Sequence, residues 1–168
     1  MNRLKIRALR EADCEAIHQA FVAQGWKKPA AKYYKYLDFQ SKGVRDILVA
    51  TIEEEFAGYL TINWISHYPP FKTQKIPEVV DFNVLKKFQR KGIGTALMDE
   101  AEARIKRVSP YAGIGFGVPK DYGAAQILYI KRGYIPDGEG MLLDGKPLPY
   151  GTQVEISDGL VFYLLKRL

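Results

Sequence analysis

The chain has 168 residues, a formal net charge of +6 and one cysteine, Cys14. That length suits a single domain spanning residues 1–168 with one buried core. A lone thiol excludes an intrachain disulfide and a cysteine-based zinc site, and no apolar run approaches the ~20 residues that cross a bilayer. The basic excess suits nucleic acid, an acidic membrane surface or a phosphorylated ligand. The basic residues are densest at 86–91 rather than in one long run, which weights the reading toward a small polyphosphate ligand.

The opening Met1–Arg7 is charged and has no apolar segment of the signal-peptide kind. With the single cysteine, this favours a cytoplasmic protein. Leu4–Ala8 alternates apolar and basic residues as a short half-buried strand. Glu11–Ala23 reads as a helix with Ala12, Ala16 and Ala20 beside Ile17 and Phe21, closed by Gly25. Lys27–Lys42 is a second helical stretch after Pro29, with Gly43 as its C-terminal cap. Asp46–Ile52 and Phe56–Ile65 form an antiparallel hairpin about the acidic turn Glu53-Glu54-Glu55. Ser66–Pro77 reads as a loop, and its His67 as a solvated side chain rather than a base.

Glu78–Val108 organises the rest. The run Val79–Val84 is β-branched and aromatic, as in a buried strand. Then come Gln89-Arg90-Lys91-Gly92-Ile93-Gly94-Thr95 and a helix whose apolar residues recur at Ile93, Leu97, Ala101, Ile105 and Val108. Lys86, Lys87, Arg90 and Lys91 precede this helix, and its first acid is Asp99. The first amides of a helix lack intrahelical partners and carry partial positive charge. Two glycines permit close approach of an anion to them. A phosphate or pyrophosphate is the natural ligand; an ordinary strand–turn–helix connection with solvated lysines is the alternative. Glu100–Arg104 and Glu102–Lys106 form favourable pairs along the helix.

Ser109-Pro110 ends that helix. Tyr111–Val118 is the next strand, with Gly113, Gly115 and Gly117 on one face, where something can approach closely. The spacing is not that of a dinucleotide fingerprint, and no phosphate-loop motif is present. Asp121–Arg132 is a helix closed by Gly133. Residues 134–159 hold weak strands among Gly, Pro and Asp, and Leu160–Leu165 is a final apolar strand.

Gln89-Arg90-Lys91-Gly92-Ile93-Gly94 resembles the Q/R-x-x-G-x-G/A motif of the GNAT superfamily of N-acyltransferases. Ala125–Tyr134 (AQILYIKRGY) resembles the same family's A-x-x-L-Y-x-x-x-G-F/Y segment. The resemblance implies an α/β (α+β) fold: a mixed, mainly antiparallel central sheet of about seven strands with helices on both faces. It implies an acetyl-CoA-dependent N-acetyltransferase acting on a primary amine of a small molecule or protein, with acetyl-CoA as co-substrate and no metal. The amides of Gln89, Arg90, Lys91, Gly92, Ile93, Gly94 and Thr95 would cradle the pyrophosphate of coenzyme A. The backbone at Phe82, Val84 and Leu85 would pair with the pantetheine arm. Tyr129 falls on the tyrosine that protonates the leaving thiolate. Glu78 resembles the catalytic glutamate of the histone-type members, with Asp81 in reserve as a base or as a partner for a cationic acceptor. Where many members carry Asn ahead of the tyrosine, this chain has Tyr122, whose phenol would replace that cofactor contact or stack on the cofactor.

Acceptor choice in this superfamily lies in variable elements, here residues 24–43, 66–77 and 136–158. Tyr33, Tyr34 and Tyr36 either line that pocket or pack their helix. The carboxylates of Glu53, Glu54, Glu55, Glu78 and Asp81 either form an acidic approach for a cationic amine or are merely solvated. The fold is often a homodimer. A non-catalytic acyl-CoA-binding sensor is the competing reading. Nucleic-acid binding is disfavoured, because no basic helix or strand face carries base-reading side chains.

Overall fold

The computed structural model describes residues 4–168; Met1–Arg3, the start of the charged N-terminus discussed above, lie outside the described residues. Among the described residues are eight strands and five α-helices, a mixed α/β fold with mainly antiparallel pairing. The chain divides into two compact units: residues up to Trp64 together with Val79–Arg104, and Ile65–Glu78 together with Ile105–Leu168.

In the first unit the strand order is β1 (Leu4–Ala8), β2 (Arg45–Ile52), β3 (Glu55–Asn63) and β4 (Glu78–Val84). β1 pairs antiparallel with β2, and β2 antiparallel with β3. The β2–β3 turn is tighter than the expected three-glutamate loop. Ile52 pairs with Glu55, leaving Glu53 and Glu54 as a two-residue connection, both at positive φ (50° and 68°). Such turns match the right-handed twist of a hairpin.

Helix α1 (Glu11–Ala23) starts where Asp13 accepts the Arg10 backbone N–H and the Arg7 guanidinium. Its buried stripe runs through Cys14, Ile17 and Phe21, while Ala12 and Ala16 are exposed. The alanine stripe expected from the sequence is thus displaced, because the larger side chains bury more apolar area per position. Helix α2 (Ala30–Ser41) buries Tyr33 and Tyr36 and exposes Tyr34. Tyr33 packs edge-on against Tyr36 and Tyr59, and Phe21 against Phe56 and Tyr59. Tyr33 and Tyr36 therefore pack their helix.

Helix α4 (Ile93–Lys106) buries Ile93, Leu97, Ala101 and Ile105 as the period requires, and also Met98. Val108 is 69% exposed: the helix ends at Lys106, so the next apolar position leaves the stripe. Arg104 bonds Glu100 one turn back and reaches Asp46, which also accepts the Trp64 indole N–H.

In the second unit the order is β5 (Tyr111–Gly117), β8 (Leu160–Arg167), β6 (Ile135–Leu143) and β7 (Lys146–Pro147), all antiparallel. Helix α5 (Gly123–Lys131) follows a 3₁₀ turn at Lys120–Tyr122. The stretch read as a loop contains a short helix, α3 (Pro69–Gln74), with Pro at its first turn. Proline is favoured there because the first helical N–H groups need no partner. Phe71 of α3, Tyr68, Ile76 and Leu142 form the buried cluster of this unit.

The three glycines of β5 do share an approach, but by the protein's own side chains. A Cβ at Gly113 would lie 2.3 Å from the Phe71 ring, at Gly115 2.8 Å from Val161, and at Gly117 2.7 Å from the Tyr122 ring.

Candidate active site

The glycine-rich turn is held by local chemistry. A 3₁₀ turn at Lys86–Phe88 follows β4 and anchors through buried Phe88. The Lys86 N–H donates to Gln24 Oε1 at 3.0 Å, and Gln89 Nε2 donates to the Val84 carbonyl at 3.1 Å. Arg90 (φ 61°) and Gly92 (φ 79°) then adopt left-handed backbone, which turns the chain into α4. Nothing lies within 4 Å of where a Gly92 Cβ would sit, so its absence reflects conformation rather than crowding. Residues 89–92 and Thr95 are exposed, Ile93 is buried and Gly94 is half-buried. The first turn of α4 has no acid. Lys87, one of the four bases counted in the sequence, is ion-paired with Glu55; Lys86 lies over Trp26 and Lys91 over Phe88. An exposed, glycine-permitted helix start flanked by Arg90 and Lys91 fits a pyrophosphate.

In β4, Phe82 and Val84 are half-buried and Leu85, just beyond it, is buried. The Leu85 N–H is spent on the Ala57 carbonyl at 2.9 Å, and the Leu85 carbonyl accepts from Phe88 N–H at 2.8 Å. β4 is irregular at Asp81, whose φ of 52° is left-handed. Thr61 Oγ1 donates to the Val80 carbonyl at 2.8 Å beside this irregularity.

Asp81 is enclosed by donors. Tyr36 and Tyr59 hydroxyls donate to Oδ2 at 2.8 and 2.7 Å, Asn83 donates to Oδ1 at 2.9 Å, and the Lys32 ammonium lies 2.6 Å from Oδ2. Burial pushes the Asp81 carboxyl up, but Lys32, the Tyr59 hydroxyl and Lys28 outweigh it and hold the group below the usual carboxylate range. A carboxylate so stabilised is a poor proton acceptor. The cations that Asp81 faces in the folded chain are its own Lys32 and, at 3.8 Å, Lys28.

Glu78 opens β4 and is buried, 7% exposed. Its Oε2 accepts the Ser66 hydroxyl at 2.5 Å, and Ser66 Oγ accepts the Tyr68 N–H at 3.0 Å. Tyr68 stacks on Tyr163 at 3.7 Å between ring centres and donates its hydroxyl to Asp137 at 2.6 Å. Burial, Glu78 and Asp137 push the Tyr163 phenol up to about 12. His67 is exposed. None of Ser66, Tyr68, Asp137 and Tyr163 stands out in the sequence as functional. A serine two residues before a backbone N–H it can cap, followed by Pro-Pro, is the one local signal of the turn.

Tyr129 lies buried on α5, edge-on to Tyr134 at 6.2 Å. Burial first, and then Tyr122, raise its phenol well above the usual tyrosine value, so it stays protonated at neutral pH. Tyr122 lays its ring on Gly117 and donates its hydroxyl to Asp158 at 3.0 Å.

Among the described residues, no cluster of three or more His, Cys, Asp or Glu could hold a metal ion, and no helix is long and apolar enough to cross a membrane.

A family model described as the acetyltransferase (GNAT) family matches residues 14–134. The chain belongs to that family, whose activity is acetyl-CoA-dependent acyl transfer. The fold is similar to that of yncA from Salmonella typhimurium, solved with its cofactor acetyl-CoA (17% identity, 99% of this chain and 94% of that one, TM-score 0.69). It is similar to the acetyltransferase of the same organism that modifies the N-terminal serine of ribosomal protein L7/L12 (15%, 98% and 95%, TM-score 0.72). It also matches a spermidine N-acetyltransferase SpeG chimera from Vibrio cholerae and hSSAT (15%, 98% and 95%, TM-score 0.70). A comparison with curated proteins gives no match.

Proposed function

We propose that this chain is an N-acetyltransferase that passes the acetyl group of acetyl-CoA to a primary amine by direct attack on the thioester. The observation that carries the reading is the turn at the head of α4, exposed, acid-free and left-handed at Arg90 and Gly92. Its amides from Gln89 to Thr95 would hold the pyrophosphate, with charge from Arg90 and Lys91. The half-strand at Phe82 and Val84 would receive the pantetheine arm. The Leu85 amide is bonded to the Ala57 carbonyl and its carbonyl to the Phe88 N–H, so its backbone would pair with the arm only by exchanging those bonds.

The amine must lose a proton to attack, because a protonated alkylamine has no lone pair. Glu78 would accept that proton before the nitrogen–carbon bond forms. As the carbon–sulfur bond breaks, the Tyr129 hydroxyl would protonate the departing thiolate, and the second proton lost by the nitrogen as the amide forms would reload the Tyr129 oxygen, whose high proton affinity suits it to hold that proton. Tyr122, turned onto Gly117 and Asp158, would contribute to the cofactor side through the edge of its ring. The acceptor is a small-molecule or protein amine; the similar structures named above span both kinds.

Calorimetric titration with acetyl-CoA and desulfo-CoA, followed by an amine panel, tests the reading. Micromolar binding and turnover on one amine are expected. Binding without turnover on any amine would convert the chain into an acyl-CoA sensor, and no binding at millimolar ligand would remove the cofactor site. Gly92→Val is the control: left-handed backbone costs a branched residue about 1–2 kcal/mol, so the exposed turn relaxes in the free chain and must be restored on binding, which should lower affinity roughly tenfold while the fold is kept.

A further inference from the structure

We propose that Ser66 is a positioning residue of the reaction: its buried hydroxyl aims the Glu78 carboxylate at the head of β4. The inference rests on Glu78 being the base in the function proposed above. Ser66 is 1% exposed, and its one proton has a single direction. The oxygen already accepts the Tyr68 N–H at 3.0 Å, so the O–H is turned onto Glu78 Oε2 at 2.5 Å. That geometry does not depend on a mobile loop. Tyr68 is braced by its stack on Tyr163, its edge contact with Phe71 and its bond to Asp137, and α3 begins immediately after it.

The chemistry needs such a donor. Burial of a carboxylate disfavours its charged form unless a hydrogen bond is supplied to it. Glu78 and Asp137 of β6 are both close enough to Tyr163 of β8 to raise its phenol, so Tyr163 is the titratable group that β8 turns toward Glu78. Donation from Ser66 favours the ionised carboxylate, as any hydrogen bond to the charged form does, and fixes which oxygen is engaged. A hydroxyl that is itself aimed by a backbone amide can do this with little reorganisation. Ser66 touches Glu78 and not the reacting atoms, so it acts through the base.

The test is a ¹³C-carboxyl NMR titration of the full chain, with the Glu78 signal assigned by its loss in Glu78→Gln. Ser66→Ala should raise the Glu78 midpoint by roughly one pH unit, and Ser66→Thr, which keeps the hydroxyl, should restore it. With the amine identified by the panel, Ser66→Ala should move the acid limb of the kcat/KM profile upward by the same amount. It should also lower kcat several-fold at pH 6 with an unchanged Kd for acetyl-CoA. An unmoved midpoint, or an unmoved acid limb where Glu78→Gln is inactive, would overturn the role of Ser66. A fully active Glu78→Gln would instead remove Glu78 as the base, and the positioning role with it, whatever the midpoint did. If Ser66→Ala does not fold, Ser66→Cys carries the same readout, because a thiol is a much weaker donor.

Discussion

Asp81 has both an unusual backbone and a crowded carboxylate, and the two can be separated. Its φ of 52° sits in the middle of β4, while its side chain meets Tyr36, Tyr59, Asn83 and Lys32. Asp81→Ala keeps the strained backbone and strands those donors, which should cost about 2–4 kcal/mol. Asp81→Gly loses the same bonds but relieves the left-handed conformation, and should be about 1 kcal/mol less damaging. Urea unfolding of both variants measures the difference, and equal losses would remove the backbone contribution. The carboxyl is held below its ordinary value in the folded chain, so its stabilisation is present above the unfolded value. It is lost as pH falls through the folded one, so the gap between wild type and Asp81→Asn should narrow below about pH 4. At Tyr129 the expectation is kinetic. Tyr129→Phe should cut turnover by roughly 10²-fold with the affinity for acetyl-CoA unchanged; full turnover would leave Tyr129 as a packing residue. Tyr129 could be picked out from its motif. Lys32 as the partner of Asp81 could not, because the two residues meet only through the packing of α2 beside β4.

Elements carry a different kind of evidence. β5 is glycine-rich because rings from its own unit lie against it, Phe71 of α3 at Gly113 and Tyr122 of the 3₁₀ turn at Gly117. Gly113→Ala places a methyl 2.3 Å from the Phe71 ring and should destabilise the chain by about 1–3 kcal/mol through overpacking. Gly113→Ala combined with Phe71→Leu should lose less than the sum of the two single changes, since the smaller side chain admits the methyl. Thermal unfolding of the three variants decides it, and strict additivity would mean the ring does not set the glycine. The spacing of those glycines was readable, as was the close approach they permit. The approaching group was not, because α3 is a single turn-and-a-half whose apolar content is Phe71 alone, too short for any period to show. Helix α4 is the opposite case: its period is long enough that Ile93, Leu97, Ala101 and Ile105 could be placed, and only Val108, beyond the last turn, fell outside.

At the scale of the whole molecule, binding and folding are linked. A ligand that binds only the folded chain stabilises it by about 2.7 kcal/mol at one hundred times its Kd. For a chain of this size that corresponds to a rise in Tm of roughly 5–10 °C. Acetyl-CoA and desulfo-CoA should produce equal shifts, since pyrophosphate and pantetheine contacts do not involve the sulfur's reactivity. The Gly92→Val chain should show a smaller shift from a similar starting Tm. A shift that appears in buffered polyphosphate alone would point to the basic turn as a general anion site instead.

The amino-acid order by itself determined the element sequence around the turn, the acid-free start of α4 and the two family motifs. These are local properties: hydrophobic period, glycine conformation and helix-end charge act over a few residues and can be read in one dimension. Tertiary structure alone decided that Asp81 is paired with Lys32, that Glu78 accepts the Ser66 hydroxyl, that Gly113 and Gly117 of β5 are covered by Phe71 and Tyr122, and that Tyr33 and Tyr36 are core. Each of those outcomes depends on which side chain arrives from a distant segment, and the energy of a buried polar or aromatic contact is set by its partner, not by its neighbours in the chain.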